Sequence, residues 1–389
     1  MRLLATLSVI ALPGAALGQE EVRFGADASA NVGYSTNPFS EPTDDTGSAF
    51  GEIQISPRLR LVNSRSIFTL SGIGLYQQYL RHYGHSSSYG GGLDYAGTPS
   101  KNVKSHLYLR YDSSILGGNN LASEATDPAL PIVPVLYGND ISLFGTRTRL
   151  QTLRGGGDVT VALSARDQIT ASTFYSQSRY GRFGGLGNYD AYGGSLGFAR
   201  RVTERLQLGA QSSVARYDYT GLGSSTTVLS PQISFSAILG PRWKADGAVG
   251  ASFVDNGTGG TRTSLSGDVR LCRATFRSNF CLSAQRAVLP TGISGTQNAT
   301  SADANYSYKV SERDTLRAAA GYTSNANSQL LIGSQNQYLR ASLGYEHVLR
   351  ERLRFIASTQ YRKIFGGIIS RRADFGGRVG IAVRLGDLR

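Results

Sequence analysis

The sequence predicts an all-β chain that closes into an antiparallel barrel of about 18 strands, with 16 as the alternative. Three observations carry that expectation. Apolar and polar residues alternate in segments that recur to the last residues, tight polar turns return at a near-constant spacing, and these short turns are interleaved with long Gly/Asn/Ser loops. Composition narrows the class further. Of 389 residues, 40% are hydrophobic and 10% aromatic, more than a disordered chain carries, yet a mean hydropathy of −0.20 is too polar for a bundle of membrane helices. Neither a Pro/Ser linker nor a composition break divides the chain into soluble domains.

Residues 1–18, MRLLATLSVIALPGAALG, have one Arg, an apolar run from Leu3 to Leu12, a Pro13-Gly14 break and small residues at Ala16 and Gly18. That is the pattern of a secretory signal peptide cleaved near Gly18, and the run is far shorter than the roughly 20 residues of a spanning helix. A single barrel domain is expected over 19–389. In its first strand Phe24, Ala26, Ala28, Ala30, Val32 and Tyr34 share one face against Arg23, Asp27, Ser29 and Asn31. The second sets Ile53, Ile55, Leu59 and Leu61 against Glu52, Gln54, Ser56, Arg58 and Arg60. Near the other end Leu353, Phe355, Ala357 and Tyr361 oppose Arg354, Ser358, Gln360 and Arg362, and Val379, Ile381, Val383 and Leu385 oppose Arg378 and Arg384. Period-2 alternation gives a strand one apolar and one polar face.

Tight turns fall near Asn63, Ser100, Arg166, Thr203, Gly240, Arg277, Ser311 and Arg350, at spacings of 37, 66, 37, 37, 37, 34 and 39 residues. Several share a local pattern: SARDQIT, VTERLQL, VSERDTL and LRERLRF. About 37 residues fit one out-and-back hairpin with a tight turn at one end and a longer loop at the other. Eight turns with both termini on one side give nine hairpins. A closed wall is required, because an open edge leaves N–H and C=O groups unpaired in hydrocarbon. Tyr34, Tyr76, Tyr79, Tyr111, Tyr175, Tyr180, Tyr217, Tyr322 and Tyr361 lie near the loop ends, and Phe198, Trp243, Phe276, Phe280, Tyr308 and Phe355 near the tight turns. Two interfacial girdles account for both sets, with the general β-propensity of aromatics as the alternative.

The signal peptide, the opening strand and loop FGADASANVGYSTNPF and repeated turn-strand units such as VSERDTLRAAAGY and LRERLRFIASTQY make the chain resemble outer-membrane β-barrel porins of Gram-negative bacteria. The likeness is particularly to a group encoded beside exopolysaccharide or capsule export genes. It covers nearly the whole mature chain. It implies short turns in the periplasm, long loops outside the cell, contact with outer-membrane lipid and lipopolysaccharide, and assembly by the barrel-insertion machinery. The chain departs from many such barrels in ending VGIAVRLGDLR, with Leu385 where an aromatic residue is often found.

If the polar register lines the bore, Arg58, Arg60, Arg110, Arg270, Arg317, Arg340, Arg354, Arg362, Arg378 and Arg384 lie inside. With a net charge of +13, or +12 once the leader's one Arg is removed, the bore is expected to favour anionic solutes, acidic sugars or polysaccharide among them. The alternative is that these arginines pair with Asp27, Glu52, Asp268 and Glu346 and brace the wall. The longest loop, roughly 113–144, carries Glu124, Asp127 and Asp140 and no Lys or Arg; it either folds inward as a constriction or caps the pore from outside. Cys272 and Cys281 flank the turn at Arg277, and a disulfide there is expected of an exported protein, with two free thiols as the alternative. His82, His85, His106 and His347 are the only imidazoles. A surface hydrolase built on His82 and His85, a plugged structural or adhesive barrel, and nucleic-acid binding by the scattered arginines are the readings set below a pore. No enzyme activity, cofactor or metal site, and no nucleic-acid partner, is expected.

Overall fold

A computed structural model describes residues 21–43, 45–118, 140–181, 187–220, 225–257, 260–292, 295–326, 336–366 and 371–386. The expected leader, together with Glu124 and Asp127, lies outside these. The described residues form 18 strands: β1 Glu21–Ser35, β2 Ser48–Val62, β3 Ser66–Tyr79, β4 His85–Ser100, β5 Val103–Ile115, β6 Arg149–Ala162, β7 Asp167–Tyr180, β8 Asn188–Arg201, β9 Leu206–Thr220, β10 Ser225–Gly240, β11 Trp243–Asp255, β12 Thr261–Ala274, β13 Ser278–Thr291, β14 Gly295–Lys309, β15 Asp314–Ala326, β16 Asn336–Arg350, β17 Leu353–Gly366 and β18 Asp374–Gly386. Each pairs antiparallel with its sequence neighbours, and β1 pairs with β18 from Gly25↔Gly386 to Ser35↔Gly376, which closes the barrel. The 66-residue interval holds one hairpin, β5 and β6, and the long loop between them.

Alternation sets the two faces. Val22, Phe24, Val32 and Tyr34 of β1, Ile53 and Ile55 of β2, Leu229 and Ile233 of β10, and Val379, Ile381 and Leu385 of β18 are exposed on the outer wall. The same register continues round every strand. An apolar surface so continuous has lipid as its solvent, because soluble proteins rarely expose apolar patches beyond a few hundred Å². Tyr34, Tyr76, Tyr111, Tyr175 and Tyr322 stand on this outer wall. Tyr79, Tyr180 and Tyr217 do not; their register turns them into the bore, where they are buried or nearly so. Aromatics occupy both parities in segments such as FYSQSRY, so strand position alone misassigns those three.

Four of the eight short turns repeat one geometry. A Ser, Thr or Asn side chain accepts the backbone N–H of the arginine two residues on: Asn63 from Arg65 at 3.0 Å, Ser164 from Arg166 at 3.1 Å, Thr203 from Arg205 at 3.2 Å and Ser311 from Arg313 at 3.1 Å. The carbonyls of Arg65, Arg166, Arg205, Arg242, Arg277, Arg313 and Arg352 then accept from the next hairpin's strand, at Thr98, Arg201, Ile238, Ala274, Lys309, Val348 and Arg384, over 2.8–2.9 Å. Asn102 takes the same place in the eighth turn, accepting from Ala162 at 2.8 Å.

One seam departs from the rule. Pairing between β12 and β13 stops at Gly267↔Arg286, although β12 runs on along β11 to Thr261 and β13 along β14 to Thr291. The β13–β14 tip leans into the mouth instead. Val288, Pro290 and Thr291 are buried there.

Candidate functional site

All ten arginines expected in the lumen occupy the inward register, and most meet a carboxylate. Arg110 faces Asp94 at 3.4 Å, Arg317 meets Glu346 at 2.7 Å, and Arg340 meets Asp303 at 3.1 Å. Arg354 bridges Asp27 at 2.7 Å and Glu346 at 3.1 Å, while Arg384 reaches Asp27 at 3.0 Å. Arg378 holds Glu52 at 2.6 Å and Arg362 holds Asp374 at 2.7 Å. Arg270 lies beside Asp268, and Arg58 and Arg60 share β2 with Glu52. Packing is close enough that a Cβ on Gly321 would sit 2.6 Å from the Asp303 carboxylate and 2.7 Å from the Arg340 guanidinium. Small residues on the wall therefore make room for the ion pairs.

Pairing does not cancel the charge. From β14 round to β2, above the rim, the lumenal register carries Arg58, Arg60, Arg317, Arg340, Arg354, Arg362, Arg378 and Arg384 against Asp27, Glu52, Asp303, Glu346 and Asp374. Eight cations against five anions leave three positive charges on one side of the bore, and Arg23–Glu21 at the rim cancels itself. The opposite wall is different in kind. On β7 to β10 the lumenal register between Gln168 and Ser236 holds Ser, Thr, Gln, Gly, Ala, Phe, Tyr and Val, with a charge only at Arg201 on the rim. Its side chains bond to one another and to the adjoining β11: Ser172–Ser195 at 2.7 Å, Gln211–Gln232 at 2.9 Å and, onto β11, Ser230–Ser252 at 2.7 Å. The two-sided bore escaped the sequence reading. Its signal was available as the missing charge at the inward parity of each strand between 168 and 236, even in β7 and β10 and odd in β8 and β9, save Arg201.

Three segments fill the loop-side mouth. The β1–β2 loop buries Phe39 among Phe50, Tyr79 and Tyr83, with the Arg147 guanidinium 5.0 Å from the Phe39 ring centre. Burial pushes the Tyr83 phenol up to about 12. The β5–β6 loop crosses the lumen: Gly117 and Gly118 carbonyls accept from Arg362 of β17 at 3.0 and 3.1 Å, and Ile141 and Phe144 pack on Tyr338 of β16 and Ile364 of β17. The described part of this loop thus runs inside the barrel. Asp140 opens the 3-10 turn Ile141–Leu143, and its buried carboxylate accepts from the Tyr180 hydroxyl and, at 3.0 Å, from the Gly292 N–H. A phenol and an amide hold it, not a wall arginine. The third segment is the β13–β14 tip, where Val288 joins Tyr189, Tyr217, Tyr219, Val228 and Val254 and the Gly295 carbonyl accepts from Tyr219 at 2.6 Å.

Cys272 and Cys281 are cross-strand partners on the lumenal face near the short-turn rim, their sulfurs bonded at 2.08 Å. Replacing both with Ser is expected to cost at most about 2–3 kcal/mol, the loop-closure value for so short a link, and to leave conductance unchanged. Urea unfolding and single-channel recording check both halves. His82 lies 3.6 Å from Asp45, and His85 stacks on Tyr76 at 6.1 Å, so the two imidazoles are directed to different partners. Among the described residues no group of three or more His, Cys, Asp or Glu is placed to hold a metal ion.

No protein-family model and no curated protein sequence matches the chain. Solved barrels are similar to it over nearly their full length. Pseudomonas aeruginosa OccK2 (OpdF) in complex with glucuronate is 12% identical, with 95% of this chain and 99% of that one covered and a TM-score of 0.46. Pseudomonas aeruginosa OpdK with vanillate is 14% identical over 94% and 99%, at a TM-score of 0.47. A BenF-like porin from Pseudomonas fluorescens Pf-5 is 12% identical over 94% and 99%, also at 0.47. At these identities and scores no residue, role or solute is carried across to this chain.

Proposed function

We propose that the barrel spans a bacterial outer membrane and passes small hydrophilic anions through its lumen. The observation that carries this reading is the surplus of three guanidinium charges on the β14–β2 wall, facing an uncharged hydroxyl, amide and tyrosine wall. Guanidinium groups offer forked donors to carboxylates and phosphates, and a low-dielectric wall strengthens their field in the bore. A solute with an anionic group at one end and hydroxyls or a ring at the other engages both walls at once. Acidic monosaccharides and aromatic acids have that form. The segments that fill the mouth favour small solutes over a polysaccharide chain, so export of an intact acidic polymer is the weaker reading.

Reversal potentials across planar bilayers under a salt gradient test this. Anion preference is expected, and it falls when Arg60 of that wall is changed to Glu. Cation preference in the unaltered barrel overturns it.

A further inference from the structure

The short-turn rim carries more than turn geometry requires. The ladder fixes one backbone position per turn, and an exposed arginine occupies it in seven of eight turns. A carbonyl acceptor can come from any residue, so the ladder does not explain the side chain. Five of those turns add a second repeated feature. Three residues before the arginine stands an aliphatic side chain, Leu163, Val202, Leu239, Val310 or Leu349, that is 58, 51, 64, 52 and 45% exposed. In a sixth, Phe276 precedes Arg277 and is 94% exposed. Exposed aliphatics are unfavourable in water at a tip that nothing covers, whereas an aliphatic and a guanidinium held about one turn apart match a boundary between acyl chains and phosphates.

We propose that this rim is a phospholipid clamp, in which each aliphatic enters the edge of the acyl layer and each arginine takes the phosphate of an anionic phospholipid. Neighbouring turns are two strands apart, roughly 10 Å at about 4.8 Å per strand, so each arginine meets its own headgroup. Glu204, Glu312 and Glu351 are exposed beside Arg205, Arg313 and Arg352 and weaken the ring's field without matching it in number. Asp167 and Asp314 are occupied by the Ser164 and Ser311 hydroxyls. A phospholipid leaflet suits this rim, which agrees with an orientation that places the short turns in the periplasm. The inference rests on the membrane reading above but is tested apart from it.

The folded barrel is reconstituted in phosphatidylcholine vesicles with and without phosphatidylglycerol, and its thermal unfolding midpoint is measured. The midpoint is expected to be higher with phosphatidylglycerol, and Arg166→Gln/Arg205→Gln/Arg313→Gln/Arg352→Gln is expected to lose that gain, while the four corresponding Lys substitutions keep part of it. An equal gain in the parent and the Gln variant overturns the clamp. Native mass spectrometry of the unaltered barrel gives an independent measure should the variant not fold, with retained phosphatidylglycerol expected in preference to phosphatidylcholine; equal retention overturns it. Binding of dextran sulfate at the rim without retention of phosphatidylglycerol assigns the ring to a soluble polyanion and likewise overturns it. Failure to enter either vesicle removes the membrane reading itself.

Discussion

Replacing Arg362 with alanine is expected to lower stability by about 3–5 kcal/mol and to raise single-channel conductance. The guanidinium is buried on the lumenal face of β17 and reaches three parts of the chain. It donates to Asp374 of β18 from Nε at 3.0 Å and Nη2 at 2.7 Å, to the β1–β2 loop at the Pro38 carbonyl at 3.0 Å, and to the β5–β6 loop at the Gly117 and Gly118 carbonyls. Asp374 in turn accepts from the Ser35 hydroxyl at 2.5 Å, the Asn37 N–H at 2.9 Å and the Gln360 amide at 3.1 Å. Removing one member of a buried, hydrogen-bonded ion pair leaves the other charge uncompensated, and this sets the magnitude. Arg362→Lys returns the charge without the fork, so it restores Asp374 and not the two loop contacts. Stability recovers in part while conductance stays high. Arg362→Ala with Asp374→Ala costs less than the sum of the single changes. Urea unfolding in vesicles and bilayer recording are the measurements; an Arg362→Ala barrel with parental stability and conductance shows that the pair does not hold the mouth.

The wall was legible from the sequence because it obeys a local rule. In β1 and β18 the alternation of Val32 and Tyr34 against Asn31 and Ser35, or Val379 and Ile381 against Arg378, decides the face of each residue without knowledge of any partner. The turns were equally local, since Ser164 and Ser311 bond to backbone groups two and three residues away. The mouth was not legible. Arg362 is marked as lumenal by its parity, but its joining of Gly117 to Asp374 depends on where a loop 245 residues away crosses the bore. Phe39 resembles any loop aromatic until Arg147 is laid over it. Val288 stands on an outward parity and ends up buried because β13 leaves β12 after Arg286, a bend that no alternation announces. Pairing across the barrel is set by closure, and closure is the one property that strand-by-strand reading does not contain.

The second large effect is a pH dependence centred on Asp140. Burial raises its carboxyl from the usual 3.8 to about 6, against the opposing pull of the Tyr180 hydroxyl and the Gly292 N–H. The phenols of Tyr180, Tyr189 and Tyr219 are titratable groups that its charge reaches, and no cation is among the causes of the shift. Because the folded-state value lies above the unfolded one, the folded chain binds the extra proton between pH 4 and 6. Stability from this group is therefore fully present below about pH 4 and is lost as pH rises through 6. A shift of about two units corresponds to about 3 kcal/mol at 1.36 kcal/mol per unit. Asp140→Asn keeps an oxygen acceptor for Gly292 or Tyr180 and does not titrate. Subtracting its unfolding free energy from that of the parent at each pH isolates the one carboxylate from every other ionisable group. The parent is expected to lose about 2 kcal/mol relative to the Asn barrel between pH 4 and 7, the rest of the effect lying below pH 4. The loop anchored at Asp140 is then held more loosely at neutral than at acid pH, so parental current noise rises across the same interval and the variant's does not. Parallel stability curves for the two proteins would show that the carboxylate is solvated rather than buried between the loop and β7.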